Sequence, residues 1–176
     1  MLQEAIGRIL LLHNMIFAFG GIPVIYMGDE IGLLNDESYV ADPDLAGDNR
    51  WLHRPRMDWS LAESRVDPLT VTGRIFQGLL KLIRARKRCH ALHGEAAAYP
   101  VWSGNERVFG LLRESPHGQL LILGNFAEVL QSVPALRLHE LGFDGPLVNL
   151  IDGRELESWH DLKLGPYEAV WLEKER

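Results

Sequence analysis

The hydrophobic pattern of the chain changes near residue 96, and this change constrains the fold more than any other feature. Before it, apolar residues have helical spacing over residues 2–19 and 68–89, and residues 22–27 are apolar on both faces. After it, short runs rich in apolar and β-branched residues, separated by turn sequences, occupy residues 97–102, 107–114, 119–125, 129–133, 146–150 and 168–172. Continuous apolar runs are typical of parallel strands covered by helices, whereas short spaced strands indicate an antiparallel sheet. The sequence therefore predicts an α/β part at residues 1–95 and an antiparallel β-sandwich domain at residues 96–176.

The apolar stretch at residues 9–27 has to be distinguished from a targeting or membrane segment. A signal peptide would have a basic start, yet Glu4 lies there beside Arg8. A membrane span needs about 20 uninterrupted apolar residues, but Gly20, Gly21 and Pro23 divide this stretch. We interpret it as a buried helix followed by a buried strand.

Charge and cysteine content narrow the possible partners. The 176 residues include 18 Lys and Arg and 24 Asp and Glu, a net charge of −6, which argues against nucleic-acid or anionic-membrane binding. Five basic residues lie in and after the last turns of the second predicted helix, where cations complement the helix dipole: Lys81, Arg84, Arg86, Lys87 and Arg88.

The single cysteine, Cys89, excludes an internal disulfide and is compatible with a reducing compartment such as the cytoplasm. Cys89, His90 and His93 lack a fourth ligand, and we expect no metal there.

Residues 28–67 have no clear period and are predicted to be a long functional loop. Asp29 and Glu30 follow the apolar strand, at the end where α/β active sites lie. Adjacent residues of an extended chain point to opposite sides, so we expect these carboxylates to orient the loop rather than form a catalytic pair. The Asp-rich stretch from Asp42 to Asp48 departs from the EF-hand pattern, and only an irregular calcium site stays open.

Residues 47–59 read GDNRWLHRPRMDW and mix Arg, Trp, His and Asp in one irregular stretch. Arginine side chains hold carboxylates in a bidentate manner, and aromatic faces suit sugar rings. The composition is equally compatible with a loop that binds a hydroxylated ligand and with a purely structural loop.

Four segments together resemble one enzyme family. They read GIPVIYMGDE at residues 21–30, DNRWLHRPR at 48–56, GNF at 124–126 and PYEAVWLE at 166–173. The first resembles the eighth-strand segment of the α-amylase family of glycoside hydrolases and glucosyltransferases, and the others resemble its amylosucrase branch. Sucrose hydrolases look much the same here, and MDW at residues 57–59 is closer to the wider family.

The resemblance implies a fold and a division of roles. Residues 1–95 would be the end of a (β/α)₈ catalytic barrel, with a helix, the eighth strand, a long substrate loop and the last helix. Residues 96–176 would be the C-terminal antiparallel β-domain. The family's nucleophile, acid/base and stabilising carboxylates follow earlier barrel strands, so we expect no catalytic residue here. By resemblance Arg50 binds substrate, and Asp29, Glu30, Asp48, Trp51 and His53 support the loop.

The implied function belongs to a larger parent enzyme, which would cleave sucrose through a covalent glucosyl-enzyme and transfer glucose to an α-glucan. It would need no cofactor or metal, and its partners would be sucrose and α-glucan. The chain alone is expected to be inactive and to self-associate through its exposed barrel strand. The alternatives are a sucrose hydrolase, another α-amylase-family hydrolase, a trehalose-synthase-like enzyme and a non-enzymatic carbohydrate-associated β-domain.

Overall fold

A computed structural model describes residues 1–175. The chain packs as two compact units, one formed by Met1–Pro23 with the residues from Leu79 onward, the other by Val24–Gly78. Helix α1 spans Leu2–Ala18, close to its predicted range, and ends where the backbone N–H of Phe19 donates to Met15 O. Gly21 follows with φ +91°, a conformation that favours glycine and prevents the helix from continuing. Over residues 1–175, no helix is long and apolar enough to span a membrane.

The predicted strand at residues 22–27 is not formed. These residues have neither helix nor strand hydrogen bonding, and the side chains of Ile22 and Val24 are 91% and 75% exposed. A strand exists only through backbone pairing with a neighbour, and no strand within residues 1–175 pairs with this segment. The assignment of residues 22–27 to a barrel strand therefore remains a proposal. In the structure, the apolar side chains of Ile22 and Val24 are exposed to solvent.

The predicted structureless loop is in fact a series of short helical turns within the unit Val24–Gly78. Its 3₁₀ helices are Asp29–Ile31, Glu37–Ala41, Asn49–His53 and Ser64–Val66, and α2 spans Trp59–Glu63. Aspartates begin three of these turns, since Asp36, Asp48 and Asp58 each accept a hydrogen bond from a backbone N–H two or three residues ahead. This is the usual role of aspartate at a helix N-cap. The high Asp content of the segment therefore has a structural cause.

Helix α3 spans Val71–Arg88 and confirms the predicted helix, with a later start. Asp67 and Pro68 form a turn before it, in which the Asp67 carboxylate accepts from the N–H of Leu69. Near its other end, Arg86 donates to the carbonyl oxygens of Phe17 and, at 3.0 Å, Gly21. Arg86 therefore satisfies backbone carbonyls at the end of α1 and just after it.

The antiparallel β-domain is confirmed. Its strands are β1 (Ala97–Trp102), β2 (Val108–Ser115), β3 (Gly118–Asn125), β4 (Gln131–Val133), β5 (Pro146–Asn149), β6 (Glu155–Glu157), β7 (Leu162–Leu164) and β8 (Ala169–Lys174), and α4 spans Ala135–Glu140. Six strands form one antiparallel sheet in the order β1-β2-β3-β8-β5-β6, and β4 pairs with β7 in a small second sheet. The hydrophobic pattern did not predict α4, β6 and β7, because each is too short to show a period.

The two faces of the large sheet are covered differently. One face forms the main core against the small sheet and α4, from Val108, Leu121, Leu123, Val133, Leu138, Phe143, Leu147, Leu162, Leu164, Val170 and Leu172. The other face lies against α1, because a Cβ atom on Gly124 would come within 2.9 Å of Met15 and 3.0 Å of Leu11. On this face the buried indole Nε1 of Trp171 donates to Asn14 Oδ1 at 2.9 Å.

A buried arginine fixes the connection from α3 to the sheet. Arg113 in β2 is 1% exposed, and its guanidinium donates to the carbonyl oxygens of Ala91 and His93 at 3.2 and 3.0 Å. Burial lowers the pKa of this guanidinium. Helix α1 and the end of α3 thus pack in one compact unit with the β-domain, whereas we predicted domains 1–95 and 96–176. That boundary concerns the parent enzyme and stays a prediction.

Candidate substrate-binding loop

The strongest candidate residue, Arg50, lies in the 3₁₀ helix Asn49–His53. Asp48, the N-cap residue of this helix, binds Arg50. The backbone N–H of Arg50 donates to Asp48 Oδ1 at 3.0 Å, and its guanidinium donates through Nε and Nη2 to the same carboxylate at 2.6–2.9 Å. The side chain of Arg50 is 70% exposed and that of Asp48 is 32% exposed. These hydrogen bonds lower the pKa of the Asp48 carboxyl to about 2, so the pair stays ionised over the whole physiological range.

Trp51 and His53 lie in the same helical turn. Trp51 is partly buried, and His53 Nδ1 lies 3.2 Å from Asn35 Oδ1. The backbone N–H of Asp36 donates to Leu52 O, which joins this turn to the preceding part of the loop. The structure therefore holds Asp48, Arg50, Trp51 and His53 on one short, anchored element.

Asp29 and Glu30 lie in a different turn. Glu30 Oε2 accepts from the backbone N–H of Gly28 at 2.8 Å, and Gly28 has φ +102°. Asp29 is exposed. Among residues 1–175 no hydrogen bond joins these carboxylates to the Arg50 turn. The contact of Glu30 is of the kind expected for a carboxylate that orients the loop.

Two segments were considered above as metal sites: the Asp-rich stretch, where an irregular calcium site stayed open, and the segment around Cys89, where no metal was expected. Asp42 Oδ1 accepts from the N–H of Asp44, which makes a turn of the Asp-rich stretch. Cys89 is buried, and burial raises the pKa of its thiol, which disfavours the thiolate that binds metals. Within the described part of the chain, no group of His, Cys, Asp and Glu side chains is arranged to hold a metal ion.

Sequence reasoning missed how the loop is held. The capping aspartates Asp36 and Asp58 were not singled out, although a serine follows each of them after one residue. In both cases the serine hydroxyl donates to the aspartate carboxylate. An Asp-x-Ser pattern inside an Asp-rich stretch was therefore the available signal for these turns.

The same fold occurs in solved structures of longer chains, and in each case this chain matches only part of the longer one. Among solved structures, AmyP in complex with maltose has the same fold, with a TM-score of 0.71 and 21% identity over 96% of this chain and 34% of that one. The α-amylase of Geobacillus thermoleovorans, complexed with acarbose, has a TM-score of 0.66 and 22% identity, over 96% and 33% of the two chains.

A family model matches the β-domain. Residues 98–173 match the model described as the amylosucrase C-terminal domain. A relative in Spirochaeta thermophila, named glucosylglycerate phosphorylase, is 28% identical over 163 residues. The alignment covers 86% of this chain and 27% of that protein, so the chain spans less than a third of the relative's length.

Proposed function

We propose that the chain is the C-terminal part of a retaining α-glucosyltransferase that cleaves sucrose and transfers the glucosyl group to an α-glucan. The match of residues 98–173 to the amylosucrase C-terminal domain carries this proposal. The parent enzyme would form a covalent glucosyl-enzyme on a carboxylate outside this chain and then pass the sugar to a glucan acceptor. The chain would contribute one wall of the substrate pocket and the β-domain.

Residues 1–95 are proposed to be the end of the catalytic barrel, with residues 22–27 as its eighth strand. The exposed apolar side chains of Ile22, Val24, Tyr26 and Met27 support this proposal. An apolar segment with unpaired backbone groups is stabilised when it pairs with strands on both sides and is covered by helices. In the parent enzyme, strands outside this chain would supply both neighbours.

Arg50 is proposed to help close the glucosyl pocket. Nε and Nη2 already bind Asp48, whereas Nη1 has no hydrogen-bond partner within residues 1–175. A guanidinium that is oriented by one carboxylate can bind a second acceptor through its remaining N–H groups. Asp29, Glu30, Trp51 and His53 would hold the surrounding loop in place.

Phosphorolysis of glucosylglycerate is the second candidate, because the Spirochaeta thermophila relative carries that activity in its name. Both candidates release a glucosyl group from a small glucoside. They differ in the leaving group, fructose or glycerate, and in the acceptor, a glucan or phosphate. Hydrolysis of sucrose differs only in having water as the acceptor.

The test uses the full-length parent enzyme with three reaction mixtures: sucrose alone, sucrose with maltoheptaose, and glucosylglycerate with inorganic phosphate. We expect fructose release together with elongation of maltoheptaose. Release of fructose and glucose without elongation would identify a hydrolase, and cleavage that depends on phosphate would identify the phosphorylase. If no mixture reacts, the sucrose proposal is wrong and the non-enzymatic β-domain is favoured.

A further inference from the structure

Two arginines without a carboxylate partner lie where the end of α1, the end of α3 and strand β2 meet. Arg113 in β2 is 1% exposed, Arg86 in α3 is partly buried, and burial lowers the pKa of both guanidinium groups. The nearby charge of Arg86 lowers the pKa of Arg113 further. Over residues 1–175, neither guanidinium forms an ion pair. A buried charge is unfavourable unless other groups compensate it.

Backbone carbonyl groups compensate the charge of Arg86. Its guanidinium donates through Nη1 to Phe17 O and, at 3.0 Å, through Nη2 to Gly21 O. A longer contact, at 3.5 Å, joins Nη1 to Phe19 O. Phe17 lies in the last turn of α1, and the other two residues follow the end of that helix. The C-terminal end of a helix carries a partial negative charge, so it is a favourable place for a cation.

Arg113 acts on the other side of the same junction. Its Nε and Nη2 donate to Ala91 O and His93 O, at 3.2 and 3.0 Å, and thereby hold the turn after α3 against β2. A Cβ atom on Gly20 would lie 3.4 Å from Nη1 of Arg113, so the end of α1 lies directly beside this guanidinium. The large sheet is therefore connected to the end of α1 through Arg113, α3 and Arg86.

Two glycines form the joint between α1 and the segment that follows it. Gly21 has φ +91° and lies directly before residues 22–27, the proposed eighth barrel strand. Glycine adopts a wide range of φ and ψ angles, so Gly20 and Gly21 do not by themselves fix the direction in which the chain leaves α1. Arg86 binds one carbonyl before this joint and one within it. Its hydrogen bonds supply the restraint that the two glycines lack.

We propose that Arg86 is a positioning residue for the substrate loop of the parent enzyme. By holding the Gly20–Gly21 joint, it sets the direction of residues 22–27 and, through them, the place of Arg50 at the glucosyl pocket. Arg113 supports Arg86, because it ties the turn after α3 to the β-domain. The β-domain thereby influences substrate binding from a distance. This inference rests on the proposed function, which assigns Arg50 to that pocket.

The geometry of the contact requires an arginine. A guanidinium presents its N–H groups in a fixed plane, so Nη1 and Nη2 of Arg86 bind Phe17 O and Gly21 O at once. A lysine would keep the positive charge near the end of α1, but an ammonium group on a flexible stem does not fix both carbonyls. Arg86→Lys therefore separates the effect of the charge from the effect of the geometry.

The first measurement follows the joint itself, by ¹⁵N relaxation of the 176-residue chain. The N–H order parameters of Gly20 and Gly21 should be about 0.8 in the unsubstituted chain and below about 0.6 in Arg86→Ala and Arg86→Lys. Arg84→Ala is the matched control, since Arg84 is exposed on the same helix, and it should leave both order parameters unchanged. Circular dichroism checks that each variant is folded.

The second measurement is a double-mutant cycle on the full-length parent, with whichever glucosyl donor it cleaves. Arg86→Ala should lower kcat/KM about tenfold and Arg86→Lys severalfold, whereas Arg84→Ala should not change it. In an Arg50→Ala background, Arg86→Ala should lower kcat/KM by less than about twofold, because the side chain that it positions is already absent. A merely structural contact would reduce kcat/KM by the same factor in both backgrounds.

Any of three results would overturn the proposal. These are flexible Gly20 and Gly21 in the unsubstituted chain, order parameters that do not change in folded Arg86 variants, and equal losses of kcat/KM with and without Arg50. Folded Arg86 variants that keep kcat/KM within about twofold count as equal losses. If the parent cleaves none of the offered donors, the proposed function fails, and the order parameters alone decide whether Arg86 holds the joint.

Discussion

The hydrogen bond between Asn14 and Trp171 offers a direct test of whether α1 is an integral part of the β-domain. Asn14 is 3% exposed and Trp171 is fully buried, and the indole N–H donates to the Asn14 oxygen at 2.9 Å. Asn14→Ala removes the acceptor and leaves the N–H buried without a partner. An unsatisfied buried donor costs about 1–3 kcal/mol. At about 2–4 °C per kcal/mol for a chain of this size, the melting temperature should fall by roughly 4–8 °C for a cost of 2 kcal/mol.

The assay is urea unfolding followed by far-ultraviolet circular dichroism, as a double-mutant cycle with Trp171→Phe. In the Trp171→Phe background there is no donor to leave unpaired, so Asn14→Ala should cost about 1 kcal/mol less than in the unsubstituted chain. Asn49→Ala, at an exposed position in the loop, is the control and should change stability by less than about 0.5 kcal/mol. If Asn14→Ala costs no more than Asn49→Ala, or costs the same in both backgrounds, the buried hydrogen bond does not couple α1 to the sheet.

Four further outcomes are expected. The purified 176-residue chain should release no fructose from sucrose above a mock preparation, because the resemblance assigns the catalytic carboxylates to earlier barrel strands; measurable release would contradict this. In the full-length parent, Arg50→Ala should lower kcat/KM for sucrose by at least about tenfold, and a change within about twofold would remove the assignment. In the isolated chain, Arg50→Ala should raise the pKa of Asp48 from about 2 toward its ordinary value. Because that pKa is depressed, the contact stabilises the loop at pH values above the ordinary pKa and is lost as the pH falls toward 2, which an NMR titration of the carboxyl group would follow. In hydrogen exchange, the amides of Val24 and Tyr26 should exchange much faster than those of Leu120–Leu123 when light scattering shows a monomer. If the chain self-associates, the amides of Val24 and Tyr26 should be protected only in the associated form. A monomer in which both segments are equally protected would contradict the prediction.

The sequence predicted the β-domain well because its strands are apolar in a local pattern. The predicted range of β1 is identical to the observed one, and β2, β3, β5 and β8 differ by one or two residues at their ends. The loop was predicted poorly, since 3₁₀ turns of three to five residues have no period that sequence reasoning can detect. The role of Arg50 was inferred from resemblance, and only the structure revealed that Asp48 holds its guanidinium.

By itself, the sequence predicted the two long helices, six of the eight strands that lie within residues 1–175, and the antiparallel character of the second half. These properties depend on the local spacing of apolar residues and on short motifs. Only the tertiary structure decided that residues 22–27 form no strand, because strand formation requires a paired neighbour. It also decided that α1 packs on the large sheet through Asn14 and Trp171. Contacts between residues far apart in the chain depend on strand register and packing, which local sequence patterns do not encode.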